Sequence, residues 1–166
     1  MTEMLRQGDL KLLEHPAAQQ LLASTELARI AYVAHDNTPR VLPMLFHWTG
    51  EDVVMSSFAG TKKLTALRAT PDVAISIDAA MPPSVLLVRG KAELTEVNGV
   101  VEEYRLAHRR YYGQDQGDKN VAATDQPGLK MVRISVRPTW VGVIDFVTRF
   151  NGGLSAEEFA NRGQGQ

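Results

Sequence analysis

Asp52-Val-Val-Met-Ser-Ser-Phe58, followed at once by Ala59-Gly60-Thr61-Lys62-Lys63-Leu64-Thr65-Ala66-Leu67-Arg68, decides the reading of this chain. The first segment is β-branched and aromatic and reads as a strand. Ala59-Gly60 supplies a turn, and Thr61 stands at the N-cap of a helix carrying Leu64, Leu67 and Arg68. Pro71 closes that helix, because the residue before a proline is driven out of the α region. Lys62 and Lys63 therefore fall in the first helical turn, where unpaired N–H groups already carry partial positive charge. Two cations there cost about a few tenths of a kcal/mol each, and a bound anion reverses the sign. From this stretch alone, a phosphate site and a pair of solvated lysines both stand open.

Upstream, a short helix is expected over 14–23, with Pro16 in its first turn. Leu27-Ala-Arg-Ile-Ala-Tyr-Val-Ala34 is nearly continuous in apolar residues and predicts a strand covered on both faces. His35-Asp-Asn-Thr-Pro39 is a turn by composition. Arg40-Val-Leu-Pro-Met-Leu-Phe-His-Trp48 predicts a second strand, at an edge or bulged because of Pro43. Thr49-Gly50-Glu51-Asp52 turns into the strand quoted above, and the three strands read as an antiparallel meander.

Downstream, Val73-Ala-Ile-Ser-Ile-Asp78 alternates as a half-buried strand. Val85-Leu-Leu-Val-Arg-Gly-Lys-Ala-Glu-Leu-Thr-Glu96 passes from apolar to alternating near Gly90, which predicts a bend carrying a long strand from core to edge. A helix is expected over 97–112, with Val97, Val101, Tyr104, Ala107 and Tyr111 on one face and Gly113 stopping it. Residues 114–128 are polar without periodicity and read as a mobile loop. Two further strands, over 129–137 and 139–146, flank Pro138, and residues 151–166 read as a flexible tail after a single domain over 1–150. Six or seven hairpin-linked strands with three short helices outside predict a mainly β, closed or half-closed antiparallel barrel.

Composition narrows the function. The chain has 166 residues and a net charge of −1, so no basic surplus marks a nucleic-acid binder. No apolar run approaches a membrane span, and residues 1–10 are too polar for a signal peptide, so a cytoplasmic protein without a membrane partner is expected. The absence of cysteine excludes disulfides, thiol catalysis and thiolate metal sites. His15, His35, His47 and His108 have no metal-ligand spacing and read as surface or strand histidines. There is no nucleophile elbow and no Walker phosphate loop. Trp48 reads as packing, and Trp140, after Arg137-Pro138, fits either packing or a lid over an aromatic ligand.

Arg40-Val-Leu-Pro43, Ser56-Ser-Phe-Ala-Gly-Thr-Lys-Lys-Leu-Thr-Ala-Leu67 and Thr70-Pro-Asp-Val-Ala-Ile-Ser-Ile77 together resemble the FMN-binding split-barrel superfamily, whose best-known branch is pyridoxamine 5′-phosphate oxidase. Ser56-Ser57 stands where that branch has Tyr-Thr, and Thr61-Lys62-Lys63 where it has Ser-Arg-Lys. The chain also resembles the actinobacterial branch that uses the deazaflavin coenzyme F-420. It departs from the oxidases in lacking the Tyr and Arg of the cofactor motif. Its end, Asp145-Phe-Val-Thr-Arg-Phe-Asn151, also differs from their Arg-Leu-His-Asp-Arg type substrate motif.

The resemblance implies a homodimer with two cofactor sites at the interface. The cofactor, FMN or deazaflavin coenzyme F-420, would be held by Arg40, Leu42, Pro43, Ser56, Ser57, Thr61, Lys62 and Lys63. Trp140 would reach it from the partner chain. The implied activity is an oxidoreductase passing a hydride or electron pair to a small organic substrate. A non-catalytic flavin, deazaflavin or heme carrier or sensor on the same barrel is the alternative. The cofactor carries the chemistry in such enzymes, which suits a chain without acid–base or nucleophile motifs.

Overall fold

The computed structural model describes residues 4–162. A 3-10 turn (Leu10–Glu14) leads into α1 (Pro16–Ala23), where His15 is the N-cap and its Nδ1 accepts from the Ala17 N–H at 3.2 Å. The strands are β1 (Ala28–Val33), β2 (Pro39–Met44), β3 (His47–Trp48), β4 (Val53–Phe58), β5 (Asp72–Ala80), β6 (Pro83–Asn98), β7 (Lys130–Val136) and β8 (Trp140–Ile144). The other helices are α2 (Lys62–Ala69), α3 (Glu102–Tyr112), α4 (Gln114–Thr124) and α5 (Ala156–Arg162). Among the described residues no helix is long and apolar enough to cross a membrane.

The eight strands form one antiparallel sheet in the order β2-β1-β5-β6-β7-β4-β3, with β8 paired to β6. Its end strands β2 and β3 do not pair, so the sheet is not closed. This is the split-barrel architecture expected. The strand count rises because Arg40-to-Trp48 divides at Leu45-Phe46, where Phe46 turns fully into the core. Phe46 joins Leu21, Ile30, Met55, Leu64, Leu67, Ile75, Leu86 and Ile134 in a continuous apolar interior. The strand–turn–helix packs as its spacing requires, since Leu64 and Leu67 of α2 are each 1% exposed.

Three expectations are corrected. The first three long strands are not a meander: β2 pairs only with β1, and β4 crosses to pair with β7 and β3. The loop expected over 114–128 is confined to 125–128, because 114–124 form α4, which packs on α3. Gly117 makes this possible, since a Cβ there would lie 2.7 Å from the backbone of His108 and Arg109. Asp118 accepts from Arg109 at 2.6 and 3.2 Å and fixes the register of the pair. The helix expected from Val97 starts at Glu102, because Val97 stays on β6 opposite Met131.

Gly90 marks a change of partner on β6. Residues Val85 to Arg89 pair with β5 on one side and β8 on the other; the β5 pairing ends at Lys91, and from Ala92 onward the partner is β7. A Cβ at Gly90 would lie 2.5 Å from the Arg137 carbonyl oxygen, so only glycine permits this crossing. The chain beyond β8 is described as far as Arg162: a 3-10 turn (Asn151–Gly153) leads to α5, and Phe159 stacks on Phe150 at 4.5 Å.

Along β1 the inward residues Ala28 and Ile30 are buried, while Arg29 is exposed and Ala31 half-buried. The outward row continues from Val41 through Ala31, Ala74 and Arg89 to Trp140, and no described helix covers it. The cover expected on both faces of this strand is therefore not supplied by the chain itself.

Candidate functional site

β4 sends Met55 and Ser57 inward and Val54 and Ser56 outward, and α3 lies over that outward face. Between them is a cavity of about 270 Å³. Leu42, Pro43, Met44 and Leu45 form one wall, Val54, Met55 and Ser56 the floor, Glu103, Tyr104 and Ala107 the α3 side, and Lys63 enters from the first turn of α2. The lining is chiefly apolar with a few polar groups, the usual composition of a small-molecule site.

Lys63 is half-buried and takes part in no salt bridge among the described residues. Burial pushes its ammonium pKa below the ordinary lysine value. A desolvated cation without a counter-ion is unfavourable unless a ligand supplies one. The helix end adds to this. Thr61 occupies the N-cap of α2, but its hydroxyl lies 3.0 Å from the Ser57 Oγ and makes no capping hydrogen bond to the helix. The first-turn N–H groups are thus left without a side-chain cap.

The sequence-predicted residues divide accordingly. Leu42, Pro43, Ser56 and Lys63 line one cavity. Ser57 is buried on the inner face and Thr61 holds it, so both shape the turn rather than line the space. Lys62 is exposed outside the lining. Arg40 is exposed and engaged by Thr38 Oγ1, by the Pro39 carbonyl at 3.1 Å and by Asp36 at 2.9 Å, which places it on the β1–β2 turn and not in the cavity. Trp140 lies on the uncovered sheet face, with the Arg89 guanidinium 4.0 Å above its ring.

Glu103, Tyr104 and Ala107 were not anticipated as lining residues. The apolar face of α3 was readable, and what it covers depends on where β4 and β7 pair. Arg133 on β7, opposite Ser56, donates to Glu103 Oε1 from Nε at 2.9 Å and stands 2.7 Å away through Nη2. Burial pushes the Glu103 carboxyl up, but the Arg133 hydrogen bond and charge outweigh it and leave the group below its ordinary value. Beside them His47 has a buried Nδ1 with no partner among the described residues. Burial and then the Arg110 charge push the His47 imidazole below its ordinary value, so it is neutral at pH 7.

Comparison with known proteins speaks to the fold and the family. The chain is similar to an F420 reductase at 29% identity, with 74% of this chain and 93% of that one covered and a TM-score of 0.58. A conserved hypothetical protein from Mycobacterium tuberculosis superposes with a TM-score of 0.61 at 18% identity, covering 87% of this chain and 90% of that one. General stress protein 26 from Bacillus anthracis superposes with a TM-score of 0.57 at 16% identity, covering 82% and 95%. The latter two speak for the fold alone. No curated protein matches. Residues 14–137 match the family model described as pyridoxamine 5′-phosphate oxidase, a span that takes in the strand–turn–helix, the cavity walls and β7. The chain therefore belongs to the pyridoxamine 5′-phosphate oxidase family.

Proposed function

We propose that the protein is an oxidoreductase that holds a phosphorylated flavin-type cofactor in the cavity beneath α3. The observation that carries this reading is Lys63: a half-buried ammonium with no salt bridge among the described residues, at a helix N-terminus, in a cavity of mixed apolar and polar lining. Those groups fit a cofactor phosphate. Leu42, Pro43, Val54 and Met55 would lie against the ring and exclude water from it, and Ser56 would orient its polar edge. When bound, the ring supplies the hydride or electron pair. The 29% identity to an F420 reductase favours the deazaflavin coenzyme F-420 over FMN.

The uncovered sheet face supports a two-fold dimer. Its outward residues Ala31, Ala74 and Ser76 are small, and Val41 is 62% exposed, so a second copy can approach closely. The absorbance spectrum and mass of whatever co-purifies would identify the cofactor, since a flavin and a deazaflavin differ in both. Steady-state turnover of reduced cofactor with a small acceptor then tests catalysis. Binding without turnover would make the protein a carrier or sensor instead.

A further inference from the structure

Glu103 lines the same cavity as Lys63, and its carboxylate is engaged by Arg133 and by its own backbone N–H. Both Arg133 nitrogens that reach it fall on Oε1, and Oε2 takes no hydrogen bond from another residue among those described. Arg133 itself does not line the cavity, so the charge presented there is the carboxylate. The neighbouring phenol does not neutralise it. Tyr104 Oη lies 3.4 Å from Thr124 Oγ1, whose own proton goes to the Asn120 carbonyl at 3.0 Å, so the phenol hydrogen is turned toward Thr124.

We propose that Glu103 determines substrate specificity: Oε2 accepts a hydrogen bond from an N–H or O–H of the substrate, and the charge turns away carboxylates and phosphates. The substrate is then a neutral or cationic compound with an apolar body and a donor group. This rests on the cofactor reading, because Lys63 must be taken by the cofactor phosphate for the carboxylate to be the charge a substrate meets. A carboxylate oxygen without a donor from another residue, on a cavity wall, can accept a further hydrogen bond. A donor-bearing ligand supplies that hydrogen bond, and an anion adds repulsion.

The test uses three probes of one size: benzylamine, benzyl alcohol and benzoate. Their affinities are measured by calorimetry on cofactor-saturated protein and, separately, on Lys63→Met protein, in which the unpaired lining cation is gone. Both proteins should rank benzylamine over benzyl alcohol over benzoate, with about tenfold or more between first and last. Glu103→Gln should compress that range to within about threefold, chiefly by admitting benzoate. Equal affinity for benzylamine and benzoate overturns the proposal, as does a ranking that survives Glu103→Gln. A variant that loses cofactor affinity yet keeps the ranking would assign the carboxylate to the cofactor and overturn it too. Should Glu103→Gln not fold, the other two rankings decide the matter. Failure of the protein to load cofactor would sink the oxidoreductase reading, while the Lys63→Met series still reports on Glu103.

Discussion

Replacing Lys63 with Met keeps most of the buried aliphatic stem and removes only the charge. A charge-assisted contact to a phosphate contributes about 1.5–3 kcal/mol. At about 1.4 kcal/mol per decade, the variant should bind cofactor roughly tenfold to a hundredfold more weakly. Lys62 sits one position earlier but is exposed and outside the cavity lining. An exposed ion pair contributes only about 0–1 kcal/mol, so Lys62→Met should cost no more than about fivefold. Without ligand the Lys63 ammonium is desolvated and has no salt bridge, so Lys63→Met protein should melt no lower than wild type. The pH dependence follows from the same burial. The folded-state pKa of Lys63 lies below the ordinary 10.5, and only the protonated form attracts phosphate, so affinity should fall at a lower pH than an ordinary lysine would require. Calorimetric titration of wild type and both variants with FMN and with the deazaflavin checks all of this. Equal losses at the two lysines, or no loss at Lys63, would refute the reasoning.

If the uncovered face pairs two copies, Val41→Arg should yield a well-folded monomer by sedimentation equilibrium, because a side chain already 62% exposed loses little when changed in one chain. A wild-type protein that is monomeric at low micromolar concentration would remove the dimer. Trp140→Leu should lower the melting temperature, since the indole fills the room left by Gly8 and Gly142 and supports Arg89. Weaker cofactor binding in the same variant would give Trp140 its role at the partner's site. His47 and His108 both have imidazoles pushed down, first by burial in each case, so the unfolded chain binds their protons more readily. The stability their neutral forms contribute is present above the unfolded value of 6.5 and lost as pH falls below it toward the lowered folded values, so melting temperature should drop as pH falls below 6.5. A flat profile there would refute this. Gly117→Val should destabilise by about 1–3 kcal/mol in denaturant titration, because its Cβ would press on the backbone of α3; an unchanged midpoint would argue against the close helix contact.

What the sequence discloses here follows the range of the physics involved. The strand–turn–helix through Lys63 was legible because each signal in it is local: β-branched residues, a Gly turn, a cap residue and cations at the wrong helix end. Gly90 was legible for a similar reason, since a change of pattern within one strand reports a change of partner. The pairing of β4 with β7 was not, because nothing in Val53 to Phe58 distinguishes that distant strand from the adjacent β2. α4 was missed because its buried stripe is narrow, Gly117 and Val121 alone, and glycine signals a loop unless its partner helix is known.

The candidate site inherits this division. Lys63 announces itself because an unpaired cation at a helix N-terminus is unfavourable whatever surrounds it. Glu103 does not, since a glutamate in a first helical turn is where the helix dipole favours one. Its significance appears only when β7 brings Arg133 to one of its oxygens and leaves the other without a donor from another described residue. A residue that satisfies every local rule can therefore still be the one that selects the ligand, because selection depends on which of its atoms the tertiary structure leaves unsatisfied.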